Sequence, residues 1–212
     1  MTLSIIFVVN NCLIMTYLIV DTSTDICIIA LVKAGEIDAE RIFPHYNQLS
    51  KNLLLSIQEL MEETQTTLSD LSYIAVGIGP GSYTGTRLGA AVAKSLAFAL
   101  NIEVKPFSSP LAFLPDQTGS FLFLIPTRAG LIFALKGEQN ATQVIEHNVT
   151  LTQQDLLDDS VNYVVSSTVF KSLSHKPFFN ASPHSRPLLK FLSQAKTISP
   201  ELVKIQYLHT PF

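Results

Sequence analysis

A chain of 212 residues that is 47% hydrophobic has room for one domain or two small lobes around a sizeable core. Its formal net charge of −3 and pI near 5.9 leave no basic footprint for independent nucleic-acid binding. Its two cysteines, Cys12 and Cys27, have neither metal-type spacing nor the look of a disulfide framework, which fits a reducing cytoplasm.

The uncharged run from Leu3 to Val20 is broken by Asn10 and Asn11, follows no Lys or Arg and leads straight into a strand, so it reads as neither a membrane span nor a signal peptide. Residues 1–14 are expected to be an upstream extension or a misassigned start ahead of Met15. Tyr17–Val20, Ile26–Val32 and Ile37–Ile42 read as three short strands, separated by Asp21-Thr22-Ser23-Thr24-Asp25 and by Ala34-Gly35. Two such turns in succession imply an antiparallel start to a sheet. A helix comes next over Pro44–Gln65, started by Pro44, with Leu49, Leu53, Ile57 and Leu60 on one stripe that Leu54 and Met61 widen, while Leu55 falls outside it. His45, at its start, reads as a capping or surface residue. Leu68–Ser72 links into the next strand.

Tyr73–Leu100, YIAVGIGPGSYTGTRLGAAVAKSLAFAL, joins an apolar strand, a tight glycine loop and a long helix of small and aliphatic residues. Two readings of the loop stand side by side. Gly79, Gly81 and Ser82 leave backbone N–H groups bare beside a helix N-terminus, where anions or acceptors are attracted, or they simply turn the chain, with Ser82 or Thr84 as N-cap. No Lys-Ser/Thr pair comes after the last glycine, so the loop is not a P-loop. Along the helix, Gly85, Gly89, Ala93 and Ala97 make a smooth ridge suited to close packing against another helix, and Leu88, Val92, Leu96 and Leu100 make an apolar ridge suited to filling a core. Its charges, Arg87 and Lys94, fall on one side with Ala91, Ser95 and Phe98 around them. A helix this apolar is expected to be buried on more than one face, within a domain or against a partner chain.

The second half is less regular. Val104–Pro110 closes the first unit, and Ser108 to Leu114 holds a short helix. Phe121–Ile125 and Leu131–Lys136 make a hairpin through Arg128-Ala129-Gly130. Val144–Val149, Asn162–Ser166 and Leu202–Leu208 read as strands, and Leu151–Leu157 and Pro187–Gln194 as helices. His147, His175, His184 and His209 have no ligand spacing.

GIGPGSYTGTRLGAAVAKSLA resembles the signature G-x-G-P-G-S/T-F/Y-T-G-x-R-x-G-x-x-x-A-x-x-L-A of the bacterial TsaB (YeaZ) family, and YLIVDTSTDICIIAL and the His45 helix extend the likeness over about Met15 to Pro106. The resemblance implies an α/β fold of the actin-like ATPase and sugar-kinase (ASKHA) type. It would have two lobes, each a mixed sheet flanked by helices: a first lobe over 15–106 and a reduced, degenerate second lobe over 107–212. Asp21, Thr22 and Ser23 then occupy the place where working kinases of that superfamily approach phosphate and magnesium, with an Asx-turn that closes the hairpin as the alternative. The metal-gripping H-x-x-x-H pair of TsaD is half absent, because the position four after His45 is Leu49. Two other family patterns are altered. D-A-R-x-x-E-V/I-Y/F appears as Thr127-Arg128-Ala129-Gly130-Leu131-Ile132-Phe133 after Pro126, and P-x-Y-L-R as Ile205-Gln206-Tyr207-Leu208-His209.

The resemblance further implies a non-enzymatic scaffold, an activating subunit for a TsaD-like enzyme that makes threonylcarbamoyladenosine (t6A) in tRNAs reading A-starting codons. The TsaD-like partner and a TsaE-like ATPase would carry the metal and ATP, the chain alone would hold no cofactor or metal, and tRNA would be met only through the complex. The candidate partner face is His45, Leu49, Leu53, Arg87, Leu88, Ala91, Lys94 and Ser95, which would also serve a homodimer. The residues near a vestigial nucleotide site are Asp21, Thr22, Gly79, Gly81 and Ser82. An ATP-dependent phosphotransferase using Asp21 and the glycine loop is the alternative function, and a metallopeptidase a remote one.

Overall fold

Apolar runs bounded by turn residues assemble, among the described residues, into two five-stranded mixed sheets. The computed structural model describes residues 15–44, 49–126, 131–153, 157, 160–167 and 171–207. The proposed N-terminal extension, His45, Arg128, Leu208 and His209 lie outside the described residues. In the first sheet β1 (Thr16–Asp21), β2 (Ile26–Lys33) and β3 (Glu36–Pro44) form the expected antiparallel meander, and β4 (Tyr73–Gly77) and β5 (Glu103–Phe107) add in parallel beyond β1. In the second, β6 (Gly119–Pro126), β7 (Ile132–Gln139) and β8 (Val144–Thr152) meander, and β9 (Tyr163–Ser166) and β10 (Phe178–Asn180) add in parallel beyond β6. The orders β3-β2-β1-β4-β5 and β8-β7-β6-β9-β10 are one plan used twice.

β1, β2 and β4 are apolar at nearly every position because both faces are covered, whereas β3, at the sheet edge, mixes polar and apolar residues and has none buried. Leu18, Val20, Ile29, Leu31, Ile74 and Val76 face the helices α1 (Leu49–Glu63) and α2 (Tyr83–Leu100). The alternate residues Tyr17, Ile19, Ile28, Ala30, Tyr73 and Ala75 face the second sheet, and meet Phe121, Phe123, Leu135, Tyr163 and Val165 in one continuous core. Leu111 to Leu114, just after β5, and α3 (Arg186–Leu192) pack into this same core, the helix through Leu188 and Leu192.

Several local expectations are corrected. Pro44 ends β3 rather than starting a helix, and it pairs with Ile26. In α1, Leu53, Ile57, Leu60 and Met61 are buried, but Leu54 is 52% exposed and does not widen the buried stripe. The expected helix at Leu151 begins as strand, because Val149 to Thr152 pair with β7 and that ladder overrides local propensity. Leu202–Leu208 is no strand where described: a 3-10 turn over Pro200–Leu202 leads into irregular chain. That segment, assigned to the second lobe, returns to the first. Ile198 bridges to Val104 through two backbone hydrogen bonds, and Val203 is buried with the residues beneath α1 and α2.

α2 also lies otherwise than its ridges suggest. Ser82 caps it by accepting the Gly85 N–H at 3.2 Å, and Asn101 ends it in the left-handed region. Gly85, Gly89, Ala93 and Ala97 are the fully buried side, and they pack on the sheet formed by β1, β4 and β5 rather than on another helix. Leu88, Val92, Leu96 and Leu100 are half-buried at its flank. Small residues let the helix backbone approach the sheet, whose own large side chains then fill the space.

Candidate functional site at the glycine loop and the second helix

The glycine loop and the β1–β2 turn are packed into each other. The Gly79 N–H donates to the Ser109 hydroxyl at 3.1 Å, and the Ser109 N–H returns a bond to the Gly79 carbonyl at 2.9 Å. Gly79 has φ +93°, and a Cβ there would stand 2.5 Å from the Gln206 carbonyl, so only glycine fits. A Cβ on Gly81 would collide with the Ser23 carbonyl, which accepts the Ser82 N–H. Thr86 donates both its N–H and its hydroxyl to the Ser82 carbonyl, at 2.9 and 2.7 Å. Of the two readings of the loop, the capped turn describes this geometry: the Gly79 and Ser82 donors are already paired inside the chain.

Asp21, at the end of β1, is only 1% exposed. Its Oδ1 accepts from the Ser23 N–H at 2.8 Å, closing the Asx-turn, and from the Ser109 hydroxyl at 3.1 Å. Its Oδ2 and the Ser23 hydroxyl have no partner. Burial pushes the carboxyl above the usual carboxylate range, with the Ser23 and Ser109 bonds opposing. The Thr22 hydroxyl donates to the Gly85 carbonyl at 2.7 Å and occupies the space a Cβ on Gly89 would need. The structure thus brings Asp21, Thr22, Gly79, Gly81 and Ser82 together, as a filled knot that fastens β1 to the start of α2. Among the described residues no cluster of three or more His, Cys, Asp or Glu could hold a metal ion. The Cys27 thiol is buried and pushed up to about 12. No helix among the described residues is long and apolar enough to cross a membrane.

The outer face of α2 is different. Tyr83, Arg87, Ala91, Ser95 and Phe98 succeed one another at spacings of three and four along its exposed side, with Phe98 82% and Tyr83 59% exposed. Leu88 and Lys94 are half-buried beside them. Of the α1 candidates, Leu53 is fully buried against the sheet and belongs to the core, while Leu54 and Leu55 of the same helix reach the surface. Leu49 opens α1, and His45 lies outside the described residues. Sequence reasoning missed Tyr83 and Leu54 as surface groups, although Tyr83 sits four residues before Arg87 and so on its face. It also missed the contact that Tyr207, on the returning segment, makes with Arg87: the Arg87 Nε–H donates to the Tyr207 hydroxyl at 3.1 Å.

The chain is similar to known proteins in sequence over part of its length and in fold over most of it. A family model described as TsaD, tRNA N6-adenosine threonylcarbamoyltransferase, matches residues 44–156. A Haemophilus influenzae protein named tRNA threonylcarbamoyladenosine biosynthesis protein TsaB is 37% identical over 100 residues, 45% of this chain and 40% of that protein. Its Bacillus subtilis namesake is 38% identical over 95 residues, 45% of this chain and 42% of that protein. The chain therefore spans about 40% of the length of the curated relatives it matches. The solved YeaZ of Pseudomonas aeruginosa superposes with a TM-score of 0.77 over 91% of this chain and 99% of its own, at 20% identity. A second structure from that organism, described by its similarity to peptidase YeaZ, superposes with 0.79 over 92% and 100%, also at 20% identity. These likenesses establish the two-lobed actin-like fold.

Proposed function

This chain belongs to the TsaD family, and we propose that it is of the TsaB (YeaZ) branch, a non-catalytic scaffold subunit for a TsaD-like enzyme in tRNA t6A synthesis. The observation that carries this reading is the contrast between two surfaces. By the resemblance, the β1–β2 turn and the glycine loop stand where working kinases of the fold approach phosphate; here the Ser23 carbonyl lies against Gly81, and Asp21 is 1% exposed with one oxygen accepting two hydrogen bonds, which supports a non-catalytic role. On α2, by contrast, aromatic and small residues with one arginine stand open to solvent, the composition of a protein-binding face rather than of a catalytic cleft.

In this reading the TsaD-like partner carries the metal and transfers the threonylcarbamoyl group, a TsaE-like ATPase joins the pair, and ATP binds in those subunits. The same α2 face serves a homodimer when the partner is absent. With a net charge of −3 the chain meets tRNA only through the complex. The complex acts in the cytoplasm.

The test is reconstitution. With tRNA, threonylcarbamoyl-adenylate and the TsaD-like and TsaE-like proteins, t6A formation should require this chain, and the chain alone should form none. Titration calorimetry with Mg-ATP on the isolated chain should show no micromolar binding. Micromolar binding with turnover would replace the scaffold by the phosphotransferase.

A further inference from the structure

We infer that Arg87 anchors the α2 face by receiving an acidic side chain of the partner protein, and that Tyr207 positions it for that contact. This rests on the scaffold reading. The Arg87 guanidinium carbon lies 3.8 Å from the centroid of the Tyr83 ring and 5.7 Å from that of Tyr207. The rings themselves are 5.6 Å apart, and the Nε–H is tied to the Tyr207 hydroxyl at 3.1 Å. An exposed arginine usually wanders among rotamers, but this one is held by a ring and by a directional bond. Its two terminal nitrogens have no hydrogen-bond partner among the described residues. They form the end of the guanidinium that takes a carboxylate bidentately.

The surroundings strengthen such a contact. Tyr83, Ala91, Phe98 and, on the returning segment, Leu202 at 60% exposure present apolar surface that a partner would cover, excluding water from the ion pair. Charge selects the occupant. α2 contains no acidic residue, and the Glu201 carboxylate of the returning segment accepts from the Ser199 hydroxyl at 2.6 Å. A second copy docking through the same face brings no acidic residue of α2 to Arg87, whereas an acidic side chain of a different protein completes the site. Tyr207 comes from the segment that crosses back from the second lobe, so the anchor is assembled by both ends of the fold.

The experiment measures binding of the full chain to the TsaD-family protein of the same organism, by calorimetry and surface plasmon resonance. Arg87→Met keeps the stem without charge, Arg87→Lys keeps charge without the fork, and Tyr207→Phe keeps the ring without the hydroxyl. Both Arg87 variants should lose at least about tenfold in affinity, mainly through faster dissociation, with Met losing more than Lys. Tyr207→Phe should lose less, about threefold, and all three should melt as the unmodified chain does. Arg87→Met binding as tightly as the unmodified chain overturns the inference. If Ala91→Glu with Ser95→Glu then still abolishes binding, the scaffold reading survives that result. No complex with the unmodified chain overturns both. If the Arg87 variants change only self-association in the ultracentrifuge, the carboxylate belongs to a second copy and the inference fails.

Discussion

Asp21 shows at the scale of a single side chain what the junction of β1 with the glycine loop costs the fold. Its carboxyl is buried, bonded through one oxygen and unpartnered at the other, and no cation compensates it among the described residues. Its folded pKa stands above the unfolded one, so the folded state keeps a proton that the unfolded chain releases. The stability this group contributes is complete below the unfolded pKa and is lost as pH rises through the folded value. Asp21→Asn keeps the Oδ1 acceptor and removes the charge. The variant should be more stable than the unmodified chain at neutral pH by about 1 to 3 kcal/mol, a difference that shrinks as pH falls through the raised pKa. Urea unfolding at neutral pH and at a pH near the ordinary aspartate value of 3.8 measures it. A constant difference across that range would mean that Asp21 does not titrate as the burial requires. The same variant should leave t6A formation by the reconstituted complex unchanged, whereas a phosphate- or metal-binding Asp21 predicts its loss.

At the scale of elements, α2 was legible in part. The four-residue spacing of Gly85, Gly89, Ala93 and Ala97 revealed a ridge, and Ser82 was legible as its cap. Which way the ridge faces was not legible, because a smooth ridge suits a helix and a sheet equally, and only the position of Thr22 and the strands beneath decides it. For the same reason Leu53 was placed on the partner face. The periodicity of α1 locates a buried stripe but cannot say whether its own sheet or another chain buries it. The pairing of the glycine loop with the β1–β2 turn rests on residues some sixty positions apart, and local spacing carries no sign of it. The corrected orientation has a direct consequence. Gly89→Leu should push α2 off Thr22 and the sheet and lower the stability of the isolated chain by about 1 to 3 kcal/mol, seen as a lower melting temperature. Unchanged melting with a lost partner would return the ridge to an interface.

Across the whole molecule, the two sheets repeat one strand plan, yet sequence comparison of the halves reveals no high-identity repeat, since strand order is kept by pairing and burial rather than by particular residues. Their facing sides share one core, with Phe107 from the first sheet among Phe121, Phe123 and Tyr163 from the second. The lobes should therefore unfold together. Phe121→Ala should remove about 3 to 5 kcal/mol and shift fluorescence and circular-dichroism transitions by the same amount, whereas two separated transitions would show independently stable lobes.

The first sheet separates that shared core from α2, which packs on the sheet's other face and keeps its outer side exposed, and the most direct test places charge on that side. Ala91→Glu with Ser95→Glu puts two carboxylates on a face that water tolerates and a dry interface does not. The double variant should melt with the unmodified chain, elute as a monomer and lose at least about a hundredfold in affinity for the TsaD-like protein. Full affinity in a normally folded double variant would contradict the account, because the partner would then bind elsewhere.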